Sequence, residues 1–232
     1  MTKHRGKRPR TFWVAMALFV SGFGFLGFGA WQYFFSDAVD GAGKQSEALQ
    51  YSPRSLEAPV KAFIDPKDAT KLGDVFARVV APRLDSEYVR LVGEGTRWHP
   101  VLNEIGIGHY TGTARPGEVG NFATAAHRGG FGGSYRNIHR FVSGDKVYVQ
   151  TNEGWYTYRY LQTKIVKPED VDVISAVPSG LLGAKEGGRY MTMTSCDPIY
   201  VNTNRIIVWF ELEKVDPTGQ PAPDAVKWLE AK

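Results

Sequence analysis

The sequence predicts an all-β domain, a closed barrel or a sandwich, preceded by one membrane-spanning helix. At least seven short segments are rich in β-branched and aromatic residues and are bounded by Gly, Pro, Asn or Asp, a pattern typical of strands. Few helical patterns separate these segments, which favours a closed or two-layered β architecture. One long uncharged stretch near the N-terminus predicts the helix.

The N-terminal 35 residues have the pattern of a membrane anchor. Residues 1–11 form a basic tail with five Lys or Arg residues, and the 24 residues from Phe12 to Phe35 carry no charge. As a helix they would reach about 36 Å, enough to cross a hydrocarbon core of about 30 Å. The positive-inside rule then predicts a single pass in the cell membrane, with the N-terminus cytoplasmic and the remainder extracytoplasmic.

A cleaved signal peptide is the alternative interpretation of this stretch. Its apolar region would be shorter and would end at an Ala-x-Ala-like site, which Phe28-Gly29-Ala30-Trp31 fits poorly. We therefore expect an anchor that stays on the protein.

Three further regions follow the anchor. Residues 36–72 are rich in Ser, Ala, Gly, Pro and charge, and we expect an extracytoplasmic stalk. Residues 73–215 hold the predicted β-domain, with one short helix after Pro168, and residues 216–232 form a Pro-rich tail with a helical turn at 225–229. The predicted strands are Val75–Val80, Tyr88–Val92, Asn121–Ala126, Lys146–Thr151, Trp155–Val166, Arg189–Cys196 and Arg205–Lys214.

Composition excludes several functional classes. The net charge of +4 falls to −1 when the five basic residues of the tail are removed, so the β-domain lacks the basic footprint of a nucleic-acid-binding protein. The sequence also has no internal repeat, no zinc-like Cys/His spacing, no phosphate-loop motif and no carboxylate cluster suited to calcium. We expect no metal, no cofactor and no nucleic-acid partner.

Cys196 is the only cysteine, at the end of a predicted strand and just before the turn Asp197-Pro198. A lone thiol cannot form an internal disulfide, so it is either a buried small hydrophobe or a reactive nucleophile. Outside the cytoplasm a free thiol is open to oxidation, and the predicted location therefore favours a function for it.

A thiol nucleophile needs a partner that takes its proton, and histidine suits that role near neutral pH. His109 lies in a Gly-rich turn that could line a cleft. His127 ends a predicted strand and precedes a Gly-rich loop, and is the favoured base. The other three histidines lie in the cytoplasmic tail or in predicted surface loops: His4, His99 and His139.

Arg205 opens the strand that follows Cys196. If residues 198–204 turn a hairpin, Arg205 faces Cys196 and its guanidinium could hold a developing oxyanion. The alternative is a strand-end arginine that points into water.

Two blocks of this sequence resemble the sortases, the cysteine transpeptidases of Gram-positive cell surfaces. Residues 117–128 end in His127-Arg128, and residues 192–198 contain Cys196, with Arg205 nine positions on. The resemblance covers about Val75 to Lys214. It is nearest to class E, the housekeeping type of high-GC actinobacteria, because of residues 106–113 and the Cys-Asp-Pro turn. Two features depart from the family pattern: Ser195 replaces a usual Thr, and a longer Gly run follows Arg128.

The resemblance implies an eight-stranded β-barrel and a two-step acyl transfer. Cys196 would attack the Thr–Gly bond of a Leu-Ala-x-Thr-Gly or Leu-Pro-x-Thr-Gly sorting signal on a surface protein and leave a thioester. His127 would protonate the departing amine and deprotonate the incoming one, while Arg205 would bind the carbonyl oxygen. The implied acceptor is an amine of lipid II or of a peptidoglycan cross-bridge, or a pilin lysine.

The same resemblance implies substrate contacts at Tyr110, Thr194 and Ser195, and makes His109 a cleft-lining residue. A phenol at Tyr110 could bond the backbone N–H that Ala has and Pro lacks at the second position of the signal. Tyr110 could instead simply cap the barrel.

Two other functions stay open from the sequence. A membrane-anchored cysteine peptidase would use the same residues and release the thioester with water. A non-catalytic surface binding domain would bury Cys196 as packing.

Overall fold

The computed structural model describes residues 9–53 and 61–231. Helix α1 runs over Arg10–Phe34 and helix α2 over Ser36–Leu49. Short helices lie at Trp98–Ile105, Ile138–Arg140, Val171–Ile174 and Asp224–Ala231. The strands are β1 Tyr51–Ser52, β2 Lys61–Ala62, β3 Val75–Val80, β4 Val89–Glu94, β5 Gly106–His109, β6 Gly120–Ala126, β7 Lys146–Thr151, β8 Gly154–Val166, β9 Arg189–Asp197 and β10 Asn204–Pro217.

Strands β3 to β10 form a closed barrel in the order β10-β8-β7-β3-β4-β5-β6-β9, and β9 pairs back onto β10. The β4–β5 and β6–β9 pairs are parallel and the other pairs are antiparallel. Closure pairs each of these eight strands, within residues 75–217, on both of its sides. The predicted eight-stranded all-β barrel is confirmed.

Apolar side chains that alternate along the strands fill the barrel. The buried cluster includes Phe76, Phe122, Met191, Met193 and Phe210. Alternation of apolar and polar residues is the clearest strand signal in the sequence. Each of the seven predicted strands is present, with both ends within three residues of the predicted ones. The short helix predicted after Pro168 is present at Val171–Ile174.

Strand β5 was predicted as a Gly-rich turn, and that prediction was wrong. A Cβ at Gly108 would lie 2.3 Å from the carbonyl oxygen of Gly95 and 3.0 Å from the side chain of Leu102. The glycines of β5 therefore permit close packing of main chains rather than a turn.

The predicted stalk also differs in the structure. Within it, residues 36–49 form helix α2, whose buried residues follow helical spacing: Asp37, Gly41, Lys44 and Ala48. Phe63 and Ala69 are buried as well, so the packed domain begins before residue 73. The remaining stalk residues 54–60 lie outside the described residues. The helix was not predicted because the residues on its buried face are polar or small, so the sequence shows no apolar residues at helical spacing there.

Both ends of the described chain are helical. In the described part of the chain, residues 10–31 form one helix long and apolar enough to cross a membrane, and none of its most apolar stretch is buried. At the other end, the predicted helical turn lies in Asp224–Ala231, where Val226 packs with Ala48 and Trp155.

The barrel core generates a stability prediction. Phe122→Ala removes a fully buried ring that packs against Phe76 and His109, and the cavity should cost about 3 to 5 kcal/mol of unfolding free energy. Val119→Ala, at an exposed apolar position, should change the unfolding free energy by less than about 0.5 kcal/mol. Urea unfolding of the two variants measures both values, and equal costs would contradict the proposed core.

Candidate active site

Cys196 and Arg205 are directly paired across two neighbouring strands. Cys196 lies one residue before the end of β9, Arg205 lies one residue after the start of β10, and the two are register partners. Side chains of residues paired in this way lie on the same face of the sheet. The hairpin across residues 198–204 thus forms as predicted, and Cys196 is half-buried with a free thiol.

His127 lies on the other side of β9. Strand β6 runs parallel to β9 with Ala125 level with Thr194, and His127 follows β6 directly. Continuing that register by two residues brings His127 level with Cys196. The order β6-β9-β10 therefore places His127, Cys196 and Arg205 side by side at one rim of the barrel.

The guanidinium of Arg205 is held by its own loop. Nη1 donates to the carbonyl oxygens of Asn202, at 3.1 Å, and Asn204, at 2.9 Å. Within the part of the chain that the structure describes, Nε and Nη2 have no hydrogen-bond acceptor. These donors remain available for an oxygen that develops negative charge near Cys196.

Asn103 fixes the ring of His127 and was not found from the sequence. The Nε2–H of His127 donates to Asn103 Oδ1 at 2.8 Å, so the neutral ring carries its free lone pair on Nδ1. The ring also lies against Trp98 and Phe131, with centroid separations of 6.1 Å and 5.1 Å. These contacts leave the imidazole little rotational freedom.

A hydrogen-bond chain extends outward from Asn103. Its Nδ2–H donates to His99 Nε2 at 3.0 Å, and His99 Nδ1–H donates to Glu104 at 2.9 Å. His99 and Glu104 are exposed, so the hydrogen bond between them adds little stability, but every donor in this series of hydrogen bonds points the same way. That polarity supports Nε2 as the protonated nitrogen of His127.

The pKa of His127 lies below its ordinary value. Burial is the main cause, the positive charge of Lys44 adds to the decrease, and Asp37 opposes it. The imidazole is therefore neutral at pH 7 and can accept a proton.

Arg128 ties the His127 strand end to the Cys196 strand end. Its Nη1 forms an ion pair with the carboxylate of Asp197 and donates to the carbonyl oxygen of Cys196 at 3.4 Å. The sequence contained this residue in a motif but gave no indication of its partner.

The three predicted substrate-binding residues divide into two groups. The Tyr110 hydroxyl donates to Thr194 Oγ1 at 3.0 Å, and that hydroxyl donates to the carbonyl oxygen of Thr124 at 3.1 Å. Thr194 and Cys196 are two residues apart on β9 and so share a face. Ser195 is on the opposite face, buried, with its hydroxyl donating to Ala126 O at 2.7 Å, which assigns it to strand pairing.

His109 was predicted to line a cleft, but it is buried in the barrel wall. It is 1% exposed, its Nδ1 lies 2.8 Å from Glu94 Oε2, and Arg115 reaches the same carboxylate oxygen at 2.7 Å. Thr111 donates to the other carboxylate oxygen at 2.6 Å. The Gly-rich context suggested an open turn, and this polar cluster instead holds the end of β5 beside Tyr110.

No metal site accompanies these residues. Across residues 9–53 and 61–231, the structure places no three His, Cys, Asp or Glu side chains close enough together to hold a metal ion.

Comparison with known proteins places the chain among the sortases. Residues 79–213 match the family model of the sortase domain. Sortase SrtE2 of Streptomyces coelicolor is 37% identical over 164 residues, which cover 66% of this chain and 62% of the relative. Sortase SrtE1 of the same organism is 33% identical, with 66% of this chain and 45% of the relative covered. The chain thus spans less than two thirds of the length of these curated relatives.

Solved structures agree with the barrel. Sortase E from Streptomyces avermitilis superposes with a TM-score of 0.61 at 36% identity, covering 67% of this chain and 99% of that one. Sortase E1 from Streptomyces coelicolor, solved with a tripeptide in its active site, gives a TM-score of 0.62 at 32% identity, covering 66% of this chain and 96% of that one.

The His109 cluster generates a prediction for the pH dependence of stability. Burial raises the pKa of Glu94, but bonds from His109 and Thr111 outweigh it and lower the pKa to about 2. A lowered pKa stabilises the fold above the ordinary value of the carboxyl, and this stability is lost as the pH falls toward 2. Urea unfolding at pH 7 and pH 3 should show a loss of about 2 kcal/mol that is absent in Glu94→Gln. Equal losses in both proteins would contradict this role.

Proposed function

The chain belongs to the sortase family, and on that premise we propose that it is a membrane-anchored, class E-type cysteine transpeptidase. It cleaves a C-terminal sorting signal between Thr and Gly and transfers the acyl group to an amine of a cell-wall precursor or a pilin. The observation that carries the proposal is the strand order β6-β9-β10, which brings His127, Cys196 and Arg205 to one rim.

In the first step, His127 accepts the thiol proton of Cys196, Sγ attacks the Thr carbonyl carbon, and the negative charge moves to the carbonyl oxygen. The Nε and Nη2 donors of Arg205 stabilise that oxygen. His127 donates a proton to the departing glycine amine, which leaves a thioester on Cys196. In the second step, His127 removes a proton from the incoming amine, the amine attacks the thioester, and the thiol is regenerated.

The thiol of Cys196 and the imidazole of His127 act as a proton-transfer pair. The thiolate that forms on Cys196 stabilises a protonated His127 by charge attraction. Because burial lowers the pKa of His127, a positive charge on its ring depends on the thiolate beside it.

Substrate selection is assigned to Tyr110 and Thr194. Their hydroxyls are hydrogen-bonded to each other on the face of β9 that carries Cys196. The tripeptide in the active site of sortase E1 from Streptomyces coelicolor supports a peptide ligand at the corresponding rim. Ser195 is left out of the proposed contacts because its hydroxyl is used inside the barrel.

The anchor fits an acceptor at the membrane surface. The basic residues of the tail precede the uncharged stretch of α1, which predicts a cytoplasmic N-terminus and an extracytoplasmic barrel. An amine on a lipid-linked peptidoglycan precursor such as lipid II lies at that surface.

The direct test is mass spectrometry of the full-length protein in detergent with Leu-Ala-x-Thr-Gly and Leu-Pro-x-Thr-Gly peptides and an amine acceptor such as triglycine. We expect cleavage between Thr and Gly with the acceptor joined to Thr. Cys196→Ala and His127→Ala should each lose at least about 1,000-fold in kcat/KM, while His139→Ala, at an exposed histidine, should keep wild-type activity.

Three outcomes would redirect the assignment. Cleavage without ligation favours a cysteine peptidase. Full activity of His127→Ala contradicts the base assignment, and an unreactive peptide together with a Cys196 that resists alkylation favours a binding domain.

Tyr110→Phe tests the specificity residue. Loss of the phenol should lower kcat/KM for the Leu-Ala peptide about tenfold, because the backbone N–H of Ala loses its partner, and should leave the Leu-Pro peptide unchanged. Tyr148→Phe, on the distant strand β7, should alter neither value. A uniform decrease for both peptides would assign Tyr110 to barrel packing instead.

A further inference from the structure

Helix α2 lies against the loop that begins at His127. Only Phe35 separates α1 from α2, and α2 contacts residues 128–137, called here the His127 loop. Three buried residues of α2 make these contacts, namely Asp37, Gly41 and Lys44.

Asp37 joins the two loops that flank the site. Its carboxylate accepts the N–H groups of Gly130 at 3.0 Å and Gly132 at 3.3 Å, the hydroxyl of Tyr200 at 3.0 Å, and the guanidinium of Arg136. Tyr200 belongs to the β9–β10 loop, between Cys196 and Arg205. Burial raises the pKa of Asp37, which is 8% exposed, but these bonds outweigh it and hold the carboxyl ionised at neutral pH.

Lys44 binds the main chain of two of the three residues that hold the imidazole of His127. Its ammonium donates to the carbonyl oxygen of Asn103 at 2.7 Å and to the carbonyl oxygen of Phe131. Asn103 holds His127 by its side chain, and the Phe131 ring lies against His127. Lys44 is 7% exposed, so its charge acts on the site at short range and with little screening.

Gly41 allows the main chain of α2 to contact the main chain of the His127 loop. A Cβ on Gly41 would lie 3.2 Å from the carbonyl oxygen of Gly132, and a Cβ on Gly132 would lie 2.8 Å from the nitrogen of Gly41. Gly132 also has a φ of +80°, which favours glycine. A larger residue at position 41 would separate α2 from the His127 loop.

We propose that α2 is a positioning element of the active site, and that Asp37 and Lys44 hold the His127 loop and Asn103 in the arrangement that orients His127. The inference rests on the proposed role of His127. Turnover then depends on docking of a helix that follows the membrane anchor directly. Only two residues lie between the end of α1 at Phe34 and Asp37, and two residues span at most about 7 Å. Docking of α2 therefore also keeps the His127 loop close to the end of the apolar helix.

A matched pair of glycine variants tests docking in the full-length protein in detergent. Gly41→Leu and Gly43→Leu raise helix propensity equally, but only Gly41 contacts the His127 loop, whereas a Cβ on Gly43 meets nothing within 4 Å. We expect Gly41→Leu to lower the rate of Cys196 alkylation by iodoacetamide at pH 7 at least fivefold, and Gly43→Leu to stay within twofold of wild type.

Alkylation needs no peptide, so a wrong sorting signal in the proposed function would not affect this readout. Equal rates in the two variants would overturn the proposal. A faster rate in Gly41→Leu would overturn it as well, since the helix would then cover the thiol rather than position its partner.

Charge variants separate positioning from a merely structural role, and remain informative if Gly41→Leu fails to fold. Removing the positive charge in Lys44→Met should raise the pKa of His127, and removing the negative charge in Asp37→Asn should lower it. The pH midpoint of Cys196 alkylation should therefore shift in opposite directions. The charged and titratable groups on the elements around the ring are Asp37, Lys44, His99, Glu104, Arg128, Arg136, Cys196, Asp197 and Arg205.

The controls make the same chemical changes away from the loop. Lys61→Met and Glu47→Gln break an exposed ion pair between β2 and α2 and should leave the midpoint in place. Loss of stability in Lys44→Met and Asp37→Asn without opposite midpoint shifts would overturn the positioning role.

Discussion

The register of β6, β9 and β10 is the constraint on which the rest of the site depends. Side chains alternate between the two faces of a strand, so a slip of one residue would turn Cys196 away from Arg205. Polar side chains secure this register on both faces of β9: Thr192 donates to the side chain of Asn121 at 2.8 Å, and Ser195 donates to the carbonyl oxygen of Ala126. The same barrel that buries the apolar core thereby fixes the positions of the three candidate catalytic residues.

The strands and the three candidate catalytic residues could be predicted from the sequence because they leave local signals. Alternating apolar residues mark β6 and β9, and Cys196 and Arg205 stand at strand ends separated by a turn. Strand β5 escaped prediction since its glycines serve a close main-chain approach that only the folded structure reveals. The burial of His109 also could not be predicted, because its acidic partner Glu94 lies on the neighbouring strand and only the folded structure shows the contact.

Helix α2 and the residues that orient His127 could not be found from the sequence for a different reason. The buried face of α2 consists of Asp37, Gly41, Lys44 and Ala48, a composition typical of a solvated linker. Asp37 and Lys44 can be buried because main-chain and side-chain groups of distant loops bind them, and no local pattern encodes such partners. Asn103 is likewise 24 positions from His127 in the chain, so its contact exists only in the fold. The candidate site at this rim is therefore assembled from strands, loops and helix α2.

The central claim is that Cys196 carries the acyl group between the two steps. The measurement that tests it most directly is intact mass spectrometry of acid-quenched full-length protein, mixed with Leu-Ala-x-Thr-Gly peptide and no acceptor. The account predicts a covalent adduct with the mass of the peptide up to Thr, located on Cys196 and released by hydroxylamine, as expected for a thioester. Cleavage of the peptide without such an adduct, persisting in Cys196→Ala, would contradict the account.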